Sequence, residues 1–549
     1  MKNVPELAIF NGIPDTEKAD RMKEHFIQYI FLIFVILLLV MAAQKLKMAA
    51  PLLLLPGGLL LSFIDNFSHI TIDPELIFVI FLPPLLYEAA WYTSWKEMWR
   101  WRRVISVFAI LIVVLTSGVV AFASYAFIPG FTLALGFLLG GIVSPPDAVS
   151  ATAIMRTAGA PKRLSHILEG ESLLNDASSL IIFRFALIAI NTGHFVFHQA
   201  VGSFVWVIVM GVATGVIIGM IYFAIHKWLP TSPEIDVVLT LTAPYVMYFT
   251  AESLHFSGVL AVVSGALFLS ARSYRFLSHR SRLRGSNVWT TIGFVLNGLV
   301  FMLIGLELPA IIHQLGTVSL KQAVLYGIFI TVILIVTRLL CTLGAAVFTK
   351  FISRYITTAD NNPGWKGPIV FGWAGMRGVV SLAAALSIPF VTSNGAPFPQ
   401  RNLILFITFV VIVLTLLVQG LTLPYLIRRL HLPDPDHPQS PEEQDLEVRK
   451  KLTEFSLTFL DEHFPGKMDN NPLLRQLRGR FYTDHDHLEH LSLDLQKEYQ
   501  LIYLKLLKRE RAFLIQLNKE LGTDEAIIRK YQGLLDLEQE KLLSLYEIE

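Results

Sequence analysis

The stretch that decides the fold is Glu169-Gly-Glu-Ser-Leu-Leu-Asn-Asp176, which runs directly into an apolar segment ending at Ile190. As a helix, residues 167–190 are long enough to cross the hydrocarbon core of a bilayer, since about 20 residues at 1.5 Å each suffice. Asp176 would then lie near mid-depth. A carboxylate at that depth is retained only where it faces a protein interior or a water-filled cavity, so Asp176 is a candidate functional residue.

The neighbours of Asp176 add polar groups to the same part of this helix. Residues four apart share a helix face, which puts Ser172 beside Asp176 and Glu171 beside Asn175. Carboxylate, hydroxyl and amide oxygens suit a hard cation, whereas a transition metal favours His or Cys, neither of which occurs in this stretch. We therefore expect a cation site here, with a polar helix-packing network as the alternative.

Length and composition place the chain among polytopic membrane proteins. Of its 549 residues, 54% are hydrophobic and only 16% are charged, and the mean hydropathy is +0.56. The single cysteine, Cys341, excludes an intramolecular disulfide framework or redox pair. A net charge of +2 does not indicate nucleic-acid binding. The sequence has no phosphate-binding Gly-x-x-x-x-Gly-Lys-Ser/Thr motif, so no separate energy source is implied, and we expect no cofactor.

Apolar runs predict an all-α membrane protein with thirteen transmembrane helices and a soluble helical domain after them. The first run is longer than the apolar core of a signal peptide, so we interpret it as a retained span. The thirteen runs are 26–43, 49–64, 74–92, 104–128, 131–155, 167–190, 200–225, 235–254, 257–271, 288–312, 322–348, 367–391 and 403–427.

Lys and Arg are concentrated in one of the two alternating sets of loops. The loop after the ninth run carries five arginines, whereas the opposite set of loops carries only Lys321 and Arg401. By the positive-inside rule the basic loops and the C-terminal tail are cytoplasmic, and residues 1–25 form an extracytoplasmic tail. Basic residues in that N-terminal tail argue the other way but are outweighed by six loops. We expect a multi-pass protein of the cell (inner) membrane.

Two predicted spans contain residues that interrupt a helix. The fifth contains Ser144-Pro-Pro-Asp147, whose prolines remove two backbone donors, and the twelfth contains Gly372-Trp-Ala-Gly-Met-Arg-Gly378. Interruptions seven spans apart predict two inverted repeats with two broken crossing helices. In secondary transporters the half-helix ends at such breaks form the substrate site. Two independent kinks are the alternative.

Other charges in the apolar runs need partners. Arg377 requires a carboxylate, and Glu171 is the best candidate, so we predict a structural ion pair between them. Glu88 follows two prolines near the end of the third span and is either a site ligand or an interfacial residue. We interpret the remaining four as members of structural pairs or as residues that line a vestibule: Arg184, Glu252, Glu307 and Arg338.

Four motifs together resemble the monovalent cation:proton antiporter family, which includes the sodium/proton exchangers. They are residues 144–147, 169–176, Ser257-Gly-Val-Leu-Ala-Val-Val263 and Gly375-Met-Arg-Gly378. The resemblance extends over about residues 25–430 and fits a prokaryotic member of the branch with Asn-Asp at the site. It implies a homodimer in which an ion-carrying core, about 104–190 and 322–427, moves against a scaffold that forms the dimer interface, about 26–92 and 200–312.

The resemblance also implies roles for individual residues. Asp176 matches the carboxylate that binds cation and proton in turn, Asn175 its helper, and Ser172 a ligand. Ser144 matches a threonine that relatives carry in a Thr-Asp-Pro motif. This chain departs from that motif, because its carboxylate is displaced to Asp147, and a direct ligand role for Asp147 does not follow.

Glu88 matches a glutamate that some prokaryotic members contribute to the cation. The Asn-Asp pair resembles that of electroneutral exchangers, so we expect one Na⁺ at Asp176 in exchange for one H⁺. Li⁺ and K⁺ remain alternatives to Na⁺. The implied role is pH and sodium homeostasis.

Two functions of other classes fit the sequence less well than exchange. A cation channel would use similar carboxylates but would not couple cation to proton, and interrupted helices in both halves favour exchange. An intramembrane hydrolase would need a base beside Ser172, and no histidine lies next to it in the membrane.

The tail, residues 431–549, is expected to be a cytoplasmic helical regulatory domain. Helical patterns cover 442–463, 488–521 and 524–546. The cluster Asp484-His-Asp-His-Leu-Glu-His490 is either a metal or pH sensor or, as we prefer, the solvated start of a helix.

Overall fold

The computed structural model describes a helical chain that divides into two compact units, Met1–Asp434 and Pro435–Glu549. The described residues are 15–46, 48, 50–64, 74–193, 197–313, 315, 318–355, 364–432, 441–464, 471–490, 493–517 and 525–545. Within these ranges the only β-structure is an isolated bridge between Val391 and Pro397. The all-α prediction is therefore confirmed.

Nineteen α-helices of the first unit are described, with two π-helical segments, Val107–Ile112 before α6 and Thr415–Gln419 before α19. The helices are α1 (Asp15–Lys45), α2 (Pro51–Leu61), α3 (Pro74–Tyr92), α4 (Trp95–Arg100), α5 (Arg102–Ser106), α6 (Val113–Phe127), α7 (Leu133–Val143), α8 (Ala148–Thr157), α9 (Lys162–Thr192), α10 (Phe197–Trp228), α11 (Pro233–Ser253), α12 (Gly258–Ser270), α13 (Ser273–Phe276), α14 (His279–His313), α15 (Leu320–Ile352), α16 (Lys366–Trp373), α17 (Val379–Leu386), α18 (Arg401–Leu414) and α19 (Gly420–Leu430).

The described helices of the second unit are α20 (Pro441–His463), α21 (Pro472–His490), α22 (Leu493–Leu517) and α23 (Glu525–Leu545). The sequence patterns predicted α20, α22 and α23 but not α21. The cluster Asp484–His490 forms the C-terminal end of α21, so its interpretation as a helix start is wrong. The side chains of this cluster lie outside the described residues.

Eight stretches of the described chain are long and apolar enough to span a membrane. They are Ile27–Lys45, Arg102–Phe127, Leu133–Thr157, Lys162–Thr192, Gly202–Trp228, His279–His313, Leu320–Phe351 and Arg401–Leu430. The other five predicted spans correspond to α2, α3, α11, α12 and the pair α16–α17, which are not among these eight. The polytopic membrane class is thus confirmed, and the number thirteen stays a prediction.

Helix starts follow ordinary capping chemistry. The side chains of Thr132, Ser232 and Ser257 accept hydrogen bonds from backbone N–H groups at the starts of α7, α11 and α12. Ser319 and Gln322 form a reciprocal capping box at the start of α15. These caps satisfy donors that the first helical turn would leave unpaired in an apolar environment.

Small residues let neighbouring helices approach closely. A Cβ atom on Gly140 of α7 would lie 2.5 Å from the carbonyl oxygen of Ser117 in α6, and one on Gly215 of α10 would lie 2.0 Å from that of Ala261 in α12. Such contacts replace the hydrophobic effect as the basis of helix packing within a bilayer.

Helix α9, which carries Asp176, contributes residues to two hydrophobic clusters. Leu168 and Phe183 belong to one cluster with residues of α1, α2, α5–α8 and α14–α19. Leu173 and Ala177 belong to the other, with residues of α3, α10, α11 and α12. Asp176 therefore lies on a helix that is packed on both sides.

Candidate cation-binding site

The two interrupted spans meet at their interruptions. Helix α7 ends at Val143 and α8 begins at Ala148, while α16 ends at Trp373 and α17 begins at Val379. The backbone N–H of Asp147 donates a hydrogen bond to the carbonyl oxygen of Met376 over 2.7 Å. The breaks predicted from the prolines and glycines are confirmed, and a hydrogen bond joins them directly.

Asp147 caps the half-helix that follows the first break. Its Oδ1 accepts a hydrogen bond of 2.9 Å from the backbone N–H of Val149. On the other side, a Cβ atom on Gly378 would lie 2.0 Å from Oδ2 of Asp147. The carboxylate thus occupies space that only a glycine at position 378 leaves open.

Asn175 and Asp176 lie beside this junction. Both side chains are buried, at 0% and 6% exposure. Asn175 Nδ2 donates to the carbonyl oxygen of Pro146 at 3.2 Å, whereas its Oδ1 is buried without a hydrogen-bond partner among the described residues. The carboxylates of Asp176 and Asp147 are close enough for their charges to interact. An amide oxygen without a described partner and two interacting carboxylates at one junction are acceptors of the kind that suit a hard cation.

The two predicted serine ligands lie at the same break. Ser172 Oγ accepts a hydrogen bond of 3.2 Å from the backbone N–H of Ala148, the first residue of α8. The buried Ser144 Oγ accepts one of 2.9 Å from Ser117 Oγ of α6. Ser117 was not predicted as a site neighbour. Its only sequence signal is a short polar sequence, Thr116-Ser117, within an apolar span.

Arg377 donates hydrogen bonds to the carbonyl end of α7. Its Nε donates to the carbonyl oxygen of Val143 at 2.9 Å and its Nη2 to that of Ser144 at 3.4 Å, and its Nη1 donates to the carbonyl oxygen of Gly375. Its backbone N–H donates to Thr415 Oγ1 at 3.2 Å. The guanidinium therefore stabilises the negative end of the half-helix.

The predicted ion pair between Glu171 and Arg377 is wrong. Glu171 pairs instead with Arg338 of α15, through two hydrogen bonds of 2.8 Å, and the two side chains are 0% and 2% exposed. The reason is geometric. The Arg377 guanidinium donates to carbonyl oxygens freed at the break, whereas the planar Arg338 guanidinium presents two parallel donors to the Glu171 carboxylate. The interpretation of Arg338 as a structural pair member is confirmed.

Glu88 makes a different contact from the other predicted ligands. Its carboxylate lies against α14, where a Cβ atom on Gly293 would be 1.7 Å from Oε2. Its role as a cation ligand stays a prediction. The structure brings five predicted residues to the junction of the two broken helices: Ser144, Asp147, Ser172, Asn175 and Asp176.

A buried acidic site where two interrupted helices meet, in an all-helical polytopic membrane protein, defines a secondary ion transporter. Comparisons with known proteins agree. The family model described as "Sodium/hydrogen exchanger, transmembrane" matches residues 30–429. This chain therefore belongs to the sodium/hydrogen exchanger family, and it is a transporter of cations in exchange for protons, not an enzyme.

Named relatives and a solved structure are similar over most of the chain. An uncharacterised Na⁺/H⁺ exchanger of Mycobacterium tuberculosis is 31% identical over 516 residues, covering 91% of this chain and 93% of that protein. A sodium, potassium, lithium and rubidium/H⁺ antiporter of Bacillus subtilis is 33% identical over 416 residues, covering 72% and 61%. The sodium proton antiporter MjNhaP1 of Methanocaldococcus jannaschii shares the fold, with a TM-score of 0.55 at 16% identity, covering 74% of this chain and 99% of that one.

Proposed function

We propose that this protein exchanges one Na⁺ for one H⁺ at Asp176, by alternating access and without net charge movement. The observation that carries the proposal is the buried Asp176 carboxylate next to an Asn175 Oδ1 that has no partner among the described residues. A carboxylate at this position holds either a proton or a cation but not both, so the two ions compete for the same oxygens.

The cation's ligands are proposed to be oxygens at the junction. The Asp176 carboxylate and Asn175 Oδ1 are the primary pair. Ser172 Oγ and Ser144 Oγ already accept one hydrogen bond each and retain a second lone pair for a cation. Asp147 contributes its charge, while its Oδ1 remains the cap of α8.

Charge balance supports a one-for-one exchange. The junction and its supports contain three carboxylates, those of Glu171, Asp147 and Asp176, and two guanidiniums, those of Arg338 and Arg377. With every group ionised, these five side chains sum to one negative charge. A single monovalent cation or a single proton restores neutrality, and an uncompensated buried charge is strongly disfavoured.

The broken helices support alternating access. We propose thirteen spans in two inverted repeats, with a core of about 104–190 and 322–427 that moves against a scaffold of about 26–92 and 200–312. The scaffold forms the interface of a homodimer in the cell (inner) membrane. Residues 1–25 lie outside, and residues 431–549 form a cytoplasmic regulatory domain. Exchange in this orientation serves pH and sodium homeostasis.

The identity of the cation has one alternative with specific support. The Bacillus subtilis relative is named for sodium, potassium, lithium and rubidium, so a K⁺-selective or broad exchanger is the second candidate. Serine, amide and carboxylate oxygens bind all of these ions, and the difference lies in cavity size.

The test is cation-dependent dequenching of a pH-sensitive dye in proteoliposomes, with Na⁺, Li⁺ and K⁺ in turn. Exchange predicts proton efflux that requires an added cation and saturates with its concentration. A cation channel would instead collapse an imposed membrane potential without moving protons. Proton movement that is independent of every monovalent cation would refute the proposal.

A further inference from the structure

A second polar feature lies in a cavity near the C-terminal end of α9. The cavity has a volume of about 420 Å³ and is bounded by residues of α3, α9, α10, α11, α12 and the end of α17. Most of its lining is Val, Leu, Ile and Phe. Among the described residues that line it, the charged ones are Arg184 of α9 and Glu252 of α11, which form an ion pair.

Glu252 is held in place independently of Arg184. Its Oε1 accepts a hydrogen bond of 3.1 Å from the backbone N–H of Gly258, the first residue of α12, while Oε2 accepts one from Arg184 Nη2. A Cβ atom on Gly258 would lie 2.9 Å from Glu252 Oε1 and 2.7 Å from the ring of Tyr248. Removing Arg184 would therefore leave a positioned carboxylate in the cavity.

The cavity approaches the proposed ion site along α9. Leu180 and Ile181, which line it, are one turn beyond Asp176. Arg184 follows Asp176 by eight residues, or about 12 Å along the helix axis. Arg184 and Glu252 both line the cavity, and their side chains are 43% and 27% exposed, so neither is sealed inside the protein.

We propose that Glu252 is a capture site for the monovalent cation on the side of the membrane where α9 ends, and that Arg184 is the fixed counter-charge that limits its strength. An apolar-walled cavity concentrates the field of the few charges in it. The carboxylate alone attracts a cation, the guanidinium alone repels it, and the pair sets an intermediate affinity. The inference rests on the proposed exchange at Asp176 and adds a specificity-determining pair to it.

The two single substitutions are expected to act in opposite directions. Glu252→Gln leaves Arg184 unneutralised and raises the apparent KM for Na⁺, whereas Arg184→Gln leaves Glu252 unneutralised and lowers it. A unit charge about 12 Å from an arriving ion changes the local cation concentration at that entrance, and hence the KM on that face, by about 2-fold to 10-fold for effective dielectric constants between 80 and 20. The double variant should return the KM toward the wild-type value. Arg184→Lys keeps the charge and should keep the KM.

The effect should also depend on the membrane face. Initial uptake of radioactive Na⁺, driven by an internal acid pH, is measured in two kinds of vesicle. In right-side-out vesicles Na⁺ enters from the outer face, and in everted vesicles it enters from the cytoplasmic face. By the proposed orientation α9 ends outside, so the KM shifts appear only in right-side-out vesicles. Arg284→Gln, which breaks an exposed ion pair with Glu234, is the matched control and should shift neither KM.

Two results would overturn the inference. If both single variants change the KM in the same direction, or lower only the maximal rate, the pair is structural. If the shifts occur equally on both faces, the cavity is not a one-sided capture site. Absence of exchange by the wild-type protein would instead refute the proposed function, so the two failures are distinguishable.

Discussion

The Glu171–Arg338 pair is expected to be among the strongest polar supports of the site. Both side chains are almost fully buried, and two hydrogen bonds of 2.8 Å join them. Glu171→Gln would leave a buried guanidinium without its carboxylate. The Arg377 guanidinium is nearby, since a Cβ atom on Gly375 would lie 2.6 Å from Arg338 Nε and 3.2 Å from Arg377 Nη1. Breaking a buried pair from one side costs about 3 to 5 kcal/mol.

A double-mutant cycle measures the interaction itself. Glu171→Gln combined with Arg338→Met removes both charges, so the double variant should be more stable than the sum of the single losses by about 2 kcal/mol or more. The free energy of unfolding is measured by SDS titration of the purified protein in mixed micelles. The matched cycle pairs Glu171→Gln with Arg377→Met. It should show a smaller coupling, because Arg377 donates to backbone carbonyls. Additive losses for Arg338, or a larger coupling for Arg377, would refute the assignment.

Three further predictions concern transport. Asp176→Asn should abolish exchange while leaving a folded protein, because an amide cannot carry the alternating charge; retained exchange in the purified variant would contradict the mechanism. Gly378→Ala should displace Asp147 and lower the exchange rate at least tenfold, a loss of about 1.4 kcal/mol, whereas Gly118→Ala, with open space around it, should have little effect. In proteoliposomes clamped with K⁺ and valinomycin, once K⁺ is known not to be transported, the Na⁺/H⁺ exchange rate should not depend on voltage. One net charge would be worth about 2.3 kcal/mol at 100 mV, and a several-fold voltage effect would point to Glu88 or Asp147 as a second proton carrier.

The interrupted helices were predictable because their cause is local. Two consecutive prolines at 145 and 146 remove backbone donors, and the glycines at 372, 375 and 378 lower helix propensity because glycine loses more backbone entropy in a helix. Consecutive prolines alone do not force a break, since Pro83 and Pro84 lie inside the continuous α3. The position of Asp176 near the middle of a long helix was also predictable, because it follows from the length of one apolar segment. These properties require no knowledge of which helices become neighbours.

The partner of Glu171 was not predictable for the opposite reason. Arg338 and Arg377 both lie in apolar segments, and neither has a spacing that assigns it to a residue some 170 or 200 positions earlier. Which arginine pairs with Glu171 depends on how α15 and the break after α16 are oriented against α9. Ser117 presents the same difficulty, because its neighbour Ser144 is known only once α6 and α7 are packed through Gly140.

The hydrogen bonds at the junction support the proposed cation site at Asn175 and Asp176. A broken helix exposes a negative carbonyl end and a positive amide end, and a transported ion could bind to either. Here Arg377 donates hydrogen bonds to the carbonyl end of α7, and Asp147 and Ser172 accept hydrogen bonds from the amide end of α8. These two half-helix ends therefore already have partners among the protein's own side chains. The acceptors left for a cation are therefore side-chain oxygens, and a carboxylate is the one among them that can exchange that cation for a proton.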